Sequence, residues 1–181
     1  MGSEKIYEKS IIYGSQYGTT KCYAKKLAEI TKIPIISYED IKDLTNYNLI
    51  IHFGGLYAGG VKGLKNTVKA LKKDVKIIIV TVGLADVYDQ ENIDNIRRSI
   101  SKQVPQNILS NATIFHLRGG IDYKKLNLKH RTMMALLYNK VKHLPENKKT
   151  AEIKAMIETY NQKVYFIDYD ALNQIIKVIN Q

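Results

Sequence analysis

The sequence predicts an α/β fold: a doubly wound, five-stranded parallel sheet in the order 2-1-3-4-5, with helices on both faces. Three observations carry that prediction. Apolar runs of strand length recur between stretches of helical spacing, the pattern of βαβ units. The run KIIIVTV (residues 76–82) is apolar without alternation, as a strand covered on both sides requires. Short connections rich in Gly, Asn and Asp separate the elements.

Taken in order, strands are expected near Ser10–Tyr13, Ile33–Ser37, Asn48–Phe53, Val75–Val82 and Ala112–Leu117. Helix Thr20–Thr31 sets Tyr23, Leu27 and Ile30 on one stripe, with Lys25, Lys26 and Glu29 opposite. Gly63–Lys72 and Asn92–Gln103 read likewise. After the fifth strand comes a basic helical insertion, residues 121–149. Its eight Lys and Arg (124, 125, 129, 131, 140, 142, 148, 149) face two acids, Asp122 and Glu146. Helices Ala151–Tyr160 and Asp170–Ile179 follow, the last with Asp168 or Asp170 available as N-cap. Residues 1–181 read as a single domain, with 1–9 an extension outside the fold. No internal repeat or linker interrupts it.

Composition narrows the class. The 181 residues suffice for one core, and 45% hydrophobic content excludes general disorder. No apolar run approaches the roughly 20 residues of a membrane helix, and the N-terminus has no signal-peptide core. The cytoplasm is the expected compartment. A lone Cys22 agrees with it and is expected to be an ordinary packed thiol. The four histidines, His52, His116, His130 and His143, lack ligand-like helical spacing and are expected to be structural or superficial. The net charge of +11 favours anionic partners such as acidic proteins, anionic lipid or nucleic acid.

In a doubly wound sheet, ligands bind beyond the carboxyl ends of the strands, beside strand 1. Three loops fall there. The first, Ser15-Gln16-Tyr17-Gly18-Thr19-Thr20, leads into a helix start, where unpaired N–H groups and the helix dipole favour an anion. Gly18 permits a tight turn, and Ser15, Thr19 and Thr20 add hydroxyls. A Walker loop is excluded because Gly18 is not followed by Lys-Ser/Thr. A dinucleotide fingerprint is excluded by the Gly14-to-Gly18 spacing. The second loop surrounds Leu56, Tyr57 and Ala58 with Gly54, Gly55, Gly59, Gly60 and Gly63. Its backbone can lie against a flat ligand, and Tyr57 can stack on it. The third, Thr81-Val82-Gly83-Leu84-Ala85-Asp86, supplies the opposite wall. One phosphate loop and two ring-sized walls at one sheet edge point to a phosphorylated planar cofactor, FMN.

IIYGSQYGTTKCYAKKLAE (residues 11–29) resembles the first strand, phosphate loop and first helix of flavodoxins. The usual T/S-x-T-G-x-T pattern runs from Ser15 to Thr20, with Tyr17 replacing the middle hydroxyl residue. GGLYAGGVKGLKNTVK, LRGGIDYKKLNLKHRTMMALLYNKV and YFIDYDALNQIIKVI extend the resemblance toward flavodoxin-domain proteins similar to menaquinone-dependent protoporphyrinogen dehydrogenase. The resemblance implies a flavodoxin-like fold, bound FMN and redox chemistry in which the flavin reacts and no side chain is nominated as acid or base. Site residues are expected at Ser15–Thr20, Gly55–Gly60, Thr81–Leu84 and Asp86. Implied partners are an acidic redox protein or a quinone. The Met-bearing basic helix near Lys129–His143 is expected to pack on the sheet with its charges in water; its other reading is contact with an anionic membrane surface, at the inner membrane face. The alternative is a flavin-free module whose basic surface meets an acidic protein or nucleic acid.

Overall fold

The computed structural model describes residues 8–57, 59–72 and 75–181. Five strands lie parallel: β1 (Glu8–Gly14), β2 (Ile35–Ser37), β3 (Tyr47–Tyr57), β5 (Lys76–Gly83) and β6 (Thr113–Arg118). Their spatial order is β2-β1-β3-β5-β6, the expected 2-1-3-4-5. The sheet has a sixth strand that the sequence did not suggest. β4 (Gly60–Val61) folds back antiparallel on the end of β3, pairing Leu56 with Val61 and Tyr57 with Gly60.

Strand side chains alternate between the two faces. Ile78, Val80 and Val82 face one core with Ile11, Ile51 and Phe53, closed by α1 (Thr19–Thr31) and α7 (Leu172–Ile179). Ile77 and Ile79 face another, closed by α2 (Leu64–Ala70) and α3 (Gln90–Ser101). Tyr23 locks the first layer. Its hydroxyl donates to Arg118 O at 2.8 Å and accepts from Asp168 N at 2.9 Å, joining α1, β6 and the entry to α7.

Several boundaries move for local reasons. Glu8 and Lys9, read as part of an extension, belong to β1 and pair along β3; residues 1–7 lie outside the described residues. β2 begins only after Pro34, whose carbonyl accepts from Ile11 N at 2.8 Å. β3 runs four residues past Phe53 through Gly54 and Gly55. Asp89 caps α3 by accepting from Asn92 N. A short helix, α4 (Gln106–Leu109), was not expected.

The insertion is only partly helical. It opens with β7 (Gly120–Asp122), which pairs antiparallel with β8 (Lys163–Tyr165). Glycine is required at 120, where a Cβ would stand 3.0 Å from Tyr165 Cα. α5 (Leu128–Val141) follows, capped by Asn127, and then α6 (Ala151–Glu158), capped by Thr150. His143 lies just beyond α5 rather than on it. Ile121, Tyr123, Met134, Val141 and Met156 form a small core of their own. Among the described residues no helix is long and apolar enough to cross a membrane.

Candidate functional site

Parallel register brings the three loops to one edge: Gly14 stands opposite Gly54, Gly54 opposite Thr81, and Gly55 opposite Val82. There a cavity of about 640 Å³ opens, within the range of small-molecule and cofactor sites. The loops form its floor and sides. α5 and α6 form its roof, with Met133, Met134, Leu137 and Met156.

The first loop ends in a helix start that no side chain caps and whose first turn holds no acid. Gly18 is exposed, with φ 98°, and a Cβ there would meet nothing within 4 Å. Ser15 shapes the turn, its Oγ accepting from Gly18 N at 3.1 Å. Thr20 is buried beneath Gly55, where a Cβ would stand 2.9 Å from its Oγ1. Gln16, Tyr17, Thr19 and Thr20 line the cavity; Ser15 and Gly18 do not.

Tyr17, at the position of the middle hydroxyl residue in the usual pattern, lines the cavity and packs under the roof. Its hydroxyl lies 3.8 Å from Met134 Sδ, and its ring meets the rings of Tyr57 and His130 edge-on at 6.3 and 6.1 Å. Burial, then the neighbouring Tyr57, pushes its phenol up to about 12. Tyr57 reaches the same roof, its hydroxyl 3.5 Å from Met133 Sδ.

Along the second loop, Gly55, Leu56, Tyr57, Gly59 and Gly60 line the cavity. The expected Ala58 lies outside the described residues. Gly59, at φ 77°, makes the turn between β3 and β4, and its carbonyl accepts from Ser99 Oγ at 2.7 Å. From the third loop, Val82, Gly83 and Leu84 line the cavity. Thr81 does not: its hydroxyl is buried against His116 Nδ1 at 2.7 Å. Asp86 stands outside too, accepting from Tyr88 N at 2.9 Å.

Sequence reasoning missed the roof. The α5 segment showed its methionines but not what they cover. Glu152 left no signal, because an acid in the first turn of a Thr-capped helix reads as ordinary helix chemistry. His130, expected to be structural or superficial, meets the first loop, with Gln16 Nε2 2.7 Å from its Nε2. Among the described residues, no group of three His, Cys, Asp or Glu could hold a metal ion.

The arrangement suits a flat ligand with an anionic tail. The uncapped helix start can take the anion, and Tyr57, Leu56 and the methionines offer apolar surface to a ring. A Flavodoxin domain profile matches residues 10–148. No curated protein matches the chain. Among solved structures, a flavoprotein of Lactobacillus acidophilus in complex with FMN is 14% identical, over 62% of this chain and 92% of that one, with a TM-score of 0.43. A cysteine-to-alanine mutant of a Pseudomonas aeruginosa flavodoxin is 14% identical, over 71% of this chain and 92% of that one, with a TM-score of 0.35.

Proposed function

The chain belongs to the flavodoxin domain family, and from that premise we propose that it is an FMN-binding redox protein. The observation that carries this reading is the uncapped start of α1, opening beside the cavity. The first-turn N–H groups and the Thr19 hydroxyl hold the phosphate, and Ser15 keeps the loop in shape. Leu56, Tyr57, Val82 and Gly83 bound the ring. When bound, FMN supplies the transfer of electrons or hydride. The chain's own residues bind it, orient it and, through Met133, Met134 and Met156, keep water off it.

The roof favours an oxidoreductase over a simple carrier. A carrier must present its ring edge to a partner, whereas α5 and α6 cover the cavity with apolar side chains. We assign the substrate to an apolar class that includes quinones, in keeping with the resemblance to protoporphyrinogen dehydrogenases. An anionic membrane surface is the second element of the proposal. Leu128 and Leu136 are exposed on α5 among Lys129, Arg131 and Lys140, and the helix carries no acid.

The test is the purified protein's spectrum and turnover. Flavin absorbance with FMN released on denaturation, and oxidation of protoporphyrinogen with a menaquinone analogue as acceptor, are expected. A protein that stays colourless after incubation with FMN contradicts the proposal. FMN binding without turnover leaves a flavoprotein of another substrate.

A further inference from the structure

One carboxyl group reaches the cavity among the described residues, and it comes from beyond the family-matched segment. Glu152 stands in the first turn of α6, whose cap Thr150 accepts from Ile153 N. Its Oε1 lies 3.4 Å from Leu84 N and its Oε2 3.3 Å from Ala85 N. Both separations lie at the long end for N–H···O bonds, so the carboxyl keeps accepting capacity unspent. Arg118 is the nearby cation, but its Nε donates to Leu84 O at 2.8 Å and its guanidinium lies 3.8 Å from the Phe166 ring centre. The other ionisable groups lining the cavity are the phenols of Tyr17 and Tyr57. Burial raises the Glu152 carboxyl above its usual range, opposed by the two N–H groups and by the Arg118 charge.

The consequence concerns polarity. The turn after β5 would by itself offer two backbone donors, Leu84 N and Ala85 N. Glu152 takes both and presents oxygen in their place, beside Gly83, where a Cβ would stand 3.3 Å from its Oε2. We infer that Glu152 makes this end of the cavity an acceptor wall, selecting a ligand whose edge there carries an N–H or O–H donor. The inference rests on the FMN reading, in which the ring's own N–H is that donor. A ligand edge bearing a carbonyl or a negative charge would face the carboxyl oxygens unpaired. A ligand lacking the donor therefore binds on the order of tenfold to a hundredfold more weakly.

Fluorescence titration of the apoprotein with FMN and with N3-methyl-FMN tests this at pH 8. Wild-type protein is expected to prefer FMN by at least tenfold. E152M keeps most of the bulk of the side chain but has no oxygen acceptor, so a preference caused by crowding survives in it, whereas one caused by the acceptor falls severalfold. E152A is expected to lose the preference altogether, and thermal unfolding of each variant reports whether the fold persists. Should E152A not fold, E152M alone decides. Equal wild-type affinity for the two flavins, or a preference undiminished in E152M, overturns the acceptor wall and leaves FMN binding standing. Binding of neither flavin overturns the FMN reading and this inference with it.

Discussion

Gln16 Nε2 lies 2.7 Å from His130 Nε2, and Gln16 Oε1 accepts from Lys62 Nζ. One amide thus joins the loop after β1 to the β3–β4 hairpin and to the roof helix. Q16A removes both bonds and is expected to cost about 1–2 kcal/mol. Because the bonds tie α5 down, amides in its first half should exchange faster in the variant while those of β3 and β5 do not change. Uniform exchange across the chain would show that the roof is held by its own packing alone.

Tyr17 occupies the place of a phosphate-loop hydroxyl and spends its side chain on Met134, Tyr57 and His130. Y17S restores the hydroxyl but leaves a void under α5. Since the ring is partly buried, we expect a loss of about 1–3 kcal/mol in denaturant unfolding and no tighter FMN binding. A tenfold gain in FMN affinity would mean that this side chain was a missing ligand.

His52 is fully buried in β3, its Nδ1 2.9 Å from Thr67 Oγ1 and its Nε2 3.1 Å from Lys62 O. Burial holds the imidazole down to about 4 from a usual 6.5, against the raising effect of the Lys62 carbonyl. The folded pKa is depressed, so the unfolded chain binds the extra proton between these values. The associated stability is present above about pH 6.5 and is lost as pH falls toward 4, amounting to about 3 kcal/mol. Urea midpoints from pH 7 to 4.5 should fall less steeply in H52N than in wild type. His116, also held down to about 4 by burial and the Arg97 charge, keeps part of the slope in both.

The exposed face of α5 yields a prediction at the bilayer. Vesicles containing phosphatidylserine should sediment the protein, and K129Q/K140Q should weaken this about thirtyfold, at about 1 kcal/mol per lysine near the surface. Neutral phosphatidylcholine vesicles should sediment little. Equal sedimentation of the variant and wild type on anionic vesicles would remove the membrane surface as a partner.

The parallel sheet and its order were legible in the sequence because each strand is a contiguous apolar run between helical stretches. The end of β3 was not, because Gly54 and Gly55 read as loop. They are strand because a missing side chain lets Val61 and Thr20 approach. β7 and β8 were hidden by their length, three residues each, and by 40 intervening residues. That the three loops meet at one sheet edge was legible from glycines and hydroxyls at strand ends. The roof was not: Tyr57 meets Met133 across 76 positions, and no local pattern encodes such a contact. Thr81 was misplaced outright, since strand alternation turns its hydroxyl toward His116 while Val82 takes the cavity side.

The central claim is that the uncapped start of α1 holds the phosphate of a flavin. Titrating the apoprotein with FMN and with riboflavin isolates that phosphate, because the ring is common to both. The account predicts that FMN binds at least about 100-fold more tightly, given a charge-assisted grip by several N–H groups. Equal affinity for FMN and riboflavin, or no binding of either, would contradict it.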